Sequence, residues 1–167
     1  TKAMALWDTE AGHQYSSKRN VIVNNTFIMD LSTRECIQIR NGATGNTIRN
    51  NIFVAPFQAI ICDPSSTEGT KIDHNLYFGS IEPERFIWAG DYRTIGDMKE
   101  AGFCEGAVSG DPKFVDAANH DYNLTADSPA IDAGVADEHV GDVDAAGKPR
   151  TAGKGVDMGA FEFQGAK

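Results

Sequence analysis

The sequence predicts an all-β fold built as a short solenoid, and three observations carry the prediction. An octapeptide recurs, as N-V-I-V-N-N-T-F at 20–27, N-T-I-R-N-N-I-F at 46–53 and T-K-I-D-H-N-L-Y at 70–77. Aligned on their paired polar residues, the copies begin at Asn24, Asn50 and His74, 26 and then 24 residues apart. Repeats of this length mark solenoids, because one turn cannot bury its apolar face alone and must stack on the next. Within each copy the alternation of apolar and polar residues has the period of a β-strand.

Each element follows from that alignment. Ile22, Ile48 and Ile72 form one inward column, and Val23, Arg49 and Asp73 face the other way. Asn25, Asn51 and Asn75 come next, at a bend where a short polar residue tolerates left-handed backbone. His74 takes the place of an asparagine in the third copy and reads as a hydrogen-bonded corner. Phe27, Phe53 and Tyr77 then make an aromatic column that would stack on itself. A second strand appears in C-I-Q-I-R at 36–40 and A-I-I-C-D at 59–63, placing Ile37 over Ile60 and Ile39 over Cys62. Outward residues then meet as opposite charges, Arg40 with Asp63 and Arg49 with Asp73. Glycine-bearing bends at 41–45 and 65–69 separate the strands.

The rung length, the asparagine ladder and the aromatic ladder resemble the right-handed parallel β-helix of the pectate lyase-like superfamily, over residues 18 to 79. The resemblance implies a right-handed parallel β-helix of two to three coils over 1–79. Residues 80–109 read as a loop with one short helix, Ile95 to Ala101, capped by Thr94. From 110 to 167 an ordered series of motifs follows: G-D-P-K-F-V-D, D-Y-N-L, S-P-A-I-D-A-G, D-V-D-A-A-G-K-P-R and V-D-M-G-A-F-E. It is similar to the segment that closes many bacterial secreted β-helix proteins, including carbohydrate-active ones. That implies a cap packed on the last coil, and a protein secreted from or displayed on a bacterial cell. The opening A-M-A-L-W-D-T-E runs straight into the repeat, as expected of a segment of a longer protein with further domains.

Composition narrows the partners. The net charge is −9, and no basic cluster is present to neutralise phosphates, which argues against nucleic acid. An acidic polysaccharide would be repelled at long range, so a neutral plant or microbial glycan is favoured. No apolar run approaches the roughly 18 residues of a membrane span. Cys36, Cys62 and Cys104 fit no zinc spacing and read as buried thiols.

The chemistry is sparser than the fold. Glycoside hydrolysis needs two carboxyl groups, and β-elimination from a uronic acid needs a base beside a cation. Asp30, Glu35, Asp63, Glu68 and Asp73 are the candidate acids, with Lys18, Arg34, Arg40, Arg49 and Lys71 as cations. Ladder pairing explains the stacked ones without catalysis, so no catalytic residue is assigned. His13, His120 and His139 stand alone in loop-like sequence. Asp142 and Asp144, followed by Gly147, have the beginnings of a Ca2+ loop, although Ala146 and Gly153 stand where further ligands belong. G-K-P-R-T-A-G-K-G lacks the spacing of a phosphate loop. Aromatic side chains outside the ladder include Trp7, Tyr15, Phe57, Trp88 and Tyr92. The segment W-A-G-D-Y-R offers Trp88 and Tyr92 as a platform for a sugar ring, with Asp91 and Arg93 for its hydroxyls. Trp88 folding back over the last coil is the structural alternative. The expected function is a carbohydrate-binding or accessory module of a carbohydrate-active enzyme, binding polysaccharide without cutting it. Two alternatives remain: the C-terminal part of a β-helix lyase or glycoside hydrolase, and a spacer without ligand.

Overall fold

A computed structural model of the chain describes residues 2–6, 17–32, 34–79 and 83–165. Trp7, His13 and Tyr15 lie outside the described residues. The structure is an all-β chain of parallel sheets, an arrangement compatible with a β-helix.

Strands recur in tiers, each tier giving one strand to each of three sheets. The first tier is β1 (Lys2–Leu6), β2 (Val21–Val23) and β3 (Thr26–Ile28); the second is β4 (Glu35–Ile39), β5 (Thr47–Arg49) and β6 (Ile52–Val54). The third is β7 (Gln58–Cys62), β8 (Lys71–Asp73) and β9 (Leu76–Phe78). Like strands stack in parallel: β1-β4-β7 in the first sheet, β2-β5-β8 in the second, β3-β6-β9 in the third. The registers match the sequence alignment, with Ile22 beside Ile48 beside Ile72 and Ile37 beside Ile60. Phe27, Phe53 and Tyr77 stack with centroids 5.0 and 5.4 Å apart and rings within 5° and 10° of parallel.

The two asparagines of each corner divide the work differently from the sequence expectation. Asn24, Asn50 and His74, the first of each pair, carry the left-handed backbone, with φ of 53°, 55° and 46°. Asn25, Asn51 and Asn75, the second, form the ladder. Asn51 Oδ1 accepts from the Asn25 N–H at 2.9 Å, and Asn75 Oδ1 from the Asn51 N–H at 2.9 Å. Asn51 Nδ2 donates to the carbonyls of Ile22 and Arg49, and Asn75 Nδ2 repeats this with Ile48 and Asp73. A buried amide thus supplies the bonds that the backbone gives up where it leaves one sheet for the next.

Of the two expected charge pairs, one forms. Arg49 grips Asp73 through Nε–Oδ1 at 2.5 Å and Nη2–Oδ2 at 2.8 Å. Asp63 instead turns into its own corner, accepting from the Asn41 N–H and Ser65 Oγ at 2.8 Å each. It lies one residue past the end of β7, where strand geometry no longer holds it opposite Arg40. The three cysteines are buried and free, and burial pushes each thiol up to about 12.

The segment expected as loop with a short helix contains more order than that. β10 (Phe86–Trp88) adds a parallel strand to β7, and β11 (Asp91–Arg93) folds back on it as an antiparallel hairpin. The helix α1 (Ile95–Glu100) is present, started by a capping box between Thr94 and Asp97. β12 (Val108–Ser109) then pairs with β9, and β13 (Phe114–Asp116) pairs with β14 (Asp121–Leu124) in an antiparallel hairpin.

Beyond Leu124 the chain forms turns held by acidic side chains, which explains the aspartates of the tail motifs. Asp132 Oδ1 accepts from the N–H groups of Lys154 and Gly155, both at 2.7 Å. Asp157 accepts from Asp132 and Phe163, and Glu162 from Ala152 and Asp157. Carboxylates substitute for a missing ladder partner. The tail does not sit on the last tier alone, as a cap would; it runs along the side of all three. Asn24 Nδ2 donates to the Asp157 carbonyl at 3.0 Å, Asn50 exchanges bonds with Val135 at 2.8 and 2.9 Å, and Met158 packs with Ile52 and Leu76. Left-handed backbone at the corner frees the amide of the first asparagine to point outward, and the tail uses it.

Candidate functional site

A groove on the described surface combines an exposed tyrosine ring with several hydrogen-bonding side chains. It measures about 460 Å³ and is lined by Arg34, Phe57, Gln58, Glu84 and Tyr92. Strand stacking brings these residues together. Arg34 immediately precedes β4, Phe57 immediately precedes β7 and Gln58 opens it, and Glu84 stands two residues ahead of β10. Register places Glu35 beside Gln58 and Ile60 beside Phe86, so the same edge of the first sheet recurs on three successive tiers. Tyr92 reaches the groove through the hairpin, whose turn at Ala89 and Gly90 has φ of 54° and 96°.

That hairpin separates the residues grouped as a sugar platform. Trp88 pairs with Asp91 and Ile87 with Tyr92, so Trp88 and Tyr92 project to opposite faces. Trp88 continues the inward column above Cys62, is 8% exposed and packs its ring 4.9 Å from that of Phe103. It belongs to the core and offers no open face. Tyr92 is 60% exposed. Asp91 and Arg93 flank it and pair with each other at 2.8 Å on the surface. A signal for Trp88 was present in the sequence: F-I-W at 86–88 repeats the apolar spacing of I-Q-I and I-I-C. Gln58 and Glu84 carried no such signal, because only the stacking of tiers makes them neighbours of Arg34.

The other candidates fall into structural roles or stay apart. Asp30 accepts from the N–H and Oγ of Ser32, and buried Glu35 accepts from Gln38 Nε2 at 3.2 Å. Lys18, Arg40, Glu68 and Lys71 are exposed and belong to none of these clusters except Lys71, which borders the surface around Arg49. Arg49 also pairs with Asp137 of the tail. Burial would raise the Asp73 carboxyl, but Arg49 and His74 outweigh it and hold it below the usual range. His74 Nδ1 lies 3.1 Å from Asp73 Oδ1, and its ring packs so close to Gly106 that a Cβ there would lie 2.3 Å from Cδ2. His120 meets the Tyr122 hydroxyl at 3.0 Å, and His139 lies near Asp137.

Asp144 is buried and spends both oxygens on backbone N–H groups, Oδ1 on Ala146 and Lys148 at 2.8 and 2.9 Å and Oδ2 on Glu162 at 3.0 Å. Burial opposes ionisation, but these donors outweigh it and keep the Asp144 carboxyl below the usual range. Asp142 is exposed and contributes its backbone carbonyl to the Arg150 N–H. Among the described residues no group of three or more His, Cys, Asp or Glu side chains is placed to hold a metal ion. No helix among them is long and apolar enough to cross a membrane.

The chain matches no protein-family model, and neither a curated protein nor a solved structure resembles it closely enough to count as a match.

Proposed function

We propose that the tiers are coils of a right-handed parallel β-helix and that the chain binds polysaccharide without cleaving it, through the groove around Tyr92. The observation that carries this reading is the groove's make-up: an exposed tyrosine face beside Arg34, Gln58 and Glu84. A sugar ring stacks its C–H face on an aromatic ring and directs its hydroxyls to side chains at the rim. The net charge of −9 favours a neutral glycan. Glu84 is the one carboxylate lining the groove among the described residues, whereas hydrolysis of a glycoside uses two.

Arg34 in the same groove supports a second reading, as part of a polysaccharide lyase. A cation beside a carboxylate is what β-elimination from a uronic acid requires. One experiment separates these readings. The chain and its Tyr92→Ala variant are incubated with a panel of neutral and acidic polysaccharides, with and without calcium, and each supernatant is assayed for new reducing ends and unsaturated uronic products. Binding that Tyr92→Ala weakens about tenfold, with no product, supports the binding module. Product release moves the assignment to the lyase or hydrolase. Retention by none of the polysaccharides refutes both and leaves the spacer.

A further inference from the structure

We infer that the glycan recognised by the Tyr92 groove is built from N-acetylated amino sugars, whose acetamido group is read by the amide of Gln58. This rests on the sugar-binding reading and names the class of sugar within it.

Gln58 stands apart from the other buried carboxamides. Among the described residues Gln38, Asn46, Asn50, Asn51 and Asn75 all hydrogen-bond inside the protein. Gln58 is only 5% exposed and lines the groove, yet among the described residues no hydrogen bond engages either end of its amide. Its neighbour in register does not supply one: Glu35 accepts from Gln38 and is not among the residues lining the groove. A buried carboxamide with both ends unmet is costly, so a ligand that meets them gains more here than on open surface.

The groove also has a built-in sense. Arg34 precedes the second-tier strand β4, Gln58 opens β7 in the third tier, and Glu84 leads into β10, which stacks on β7. The Ala59 N–H bonds the Arg85 carbonyl at 2.8 Å, carrying the β7–β10 pairing back toward Gln58 and Glu84. Neighbouring strands lie about 4.7–4.9 Å apart, so Arg34 and Glu84 flank Gln58 from opposite sides along the stack. Arg34 can only donate, the Glu84 carboxylate can only accept, and Gln58 does both.

This order selects among sugar substituents. A hydroxyl donates and accepts through one atom and gains little from the separation of donor and acceptor. A trans secondary amide turns its carbonyl and its N–H to opposite edges. In an acetamido group the carbonyl would accept from Arg34 and Gln58 Nε2 while the N–H turned to Glu84, leaving Gln58 Oε1 for a ring hydroxyl. The methyl would lie against Phe57 and the sugar face against Tyr92. An N-acetylated sugar is uncharged, in keeping with the net charge of −9.

The probes are tetrasaccharides in two matched pairs, one of gluco and one of galacto configuration, whose members differ only in carrying acetamido or hydroxyl at C2. Each is titrated into the full chain by calorimetry, and into isotope-labelled chain while the side-chain amide signals are followed by NMR. In at least one pair the acetamido sugar is expected to bind about tenfold tighter or more, with the Gln58 amide signals shifting. Tyr92→Ala should weaken both members of that pair and keep their ratio, whereas Gln58→Met, of similar volume, should bring the ratio to about one. If Gln58→Met fails to fold, the Gln58 amide signals of the unaltered chain decide. Equal affinity within both pairs, a preference that survives Gln58→Met, or binding that leaves the Gln58 signals unmoved overturns the proposal, and the sugar reading stands wherever Tyr92→Ala still weakens binding. Binding of none of the four sugars, or affinities indifferent to Tyr92→Ala, overturns the sugar reading and this proposal with it.

Discussion

Replacing Asn51 by alanine should be among the most damaging single changes in this protein, although it removes only a neutral amide. The side chain is fully buried and makes bonds in three directions. Oδ1 accepts from the Asn25 N–H, and Nδ2 donates to Ile22 O, Arg49 O and Asn75 Oδ1 at 2.8–2.9 Å. In Asn51→Ala the Asn25 N–H loses its side-chain acceptor, at about 1–3 kcal/mol for an orphaned donor. Losing the Nδ2 bonds adds roughly 1 kcal/mol or less apiece, because both carbonyls have backbone partners, for a total of about 3–5 kcal/mol. Asn25→Ala, at the open end of the same ladder, gives up Nδ2 bonds to Val23 O and Asn51 Oδ1 beside solvent and should cost about 1 kcal/mol. With a urea slope of about 2 kcal/mol/M for a domain of this size, Asn51→Ala should lower the midpoint by about 2 M and Asn25→Ala by about 0.5 M. Equilibrium urea unfolding followed by circular dichroism measures both. Equal midpoints would refute the reasoning, since they would mean that burial inside the ladder adds nothing to the amide's worth.

Further predictions concern the tail. Gly159 has φ of 95°, and a Cβ there would lie 2.6 Å from Ile52 Cδ1, so Gly159→Ala should lift the tail from the third sheet and cost about 2 kcal/mol or more, read by thermal unfolding and by faster proteolysis within 135–163. Arg49→Met removes the bridge to both Asp73 and Asp137, leaves two part-buried carboxylates without their shared cation and should cost about 1–3 kcal/mol, and the loss should shrink in acid once they are protonated. The pH profile should have a maximum near pH 5. Burial and the Asp157 charge push the Glu162 carboxyl up to about 6 from an ordinary 4.5, so the folded state holds this proton more tightly than the unfolded one. Its contribution is complete below about 4.5 and is lost as pH rises through 6, about 1–2 kcal/mol in all. Asp73, Asp137 and Asp144 have the opposite sense: burial raises each, but their partners outweigh it and hold the folded-state values below 3.8. Their contribution is present above that value and is lost as pH falls through the folded ones. Urea midpoints at successive pH values test the profile, and a midpoint that climbs steadily from pH 5 to 7 would contradict it.

The sequence by itself determined the repeating part of this protein. Parallel stacking imposes the same requirements on every tier, so Ile22, Ile48 and Ile72, or Phe27, Phe53 and Tyr77, can be aligned by eye and their stacking follows. The short capped helix after Thr94 was legible for a similar reason, since a capping box is local. What the sequence could not decide were contacts without a repeat or a short-range signal. It did not show which asparagine of a pair turns the backbone and which joins the ladder, because both are compatible with either role until the sheets fix the direction of each amide. It did not separate Trp88 from Tyr92, which two positive-φ residues at the hairpin turn send to opposite faces. Nor did it show that the tail lies along all three tiers, or that Arg34, Gln58 and Glu84 meet. Those neighbours are set by the spacing between tiers and by the path of the chain after Leu124, and such distances exist only once the parallel strands are stacked.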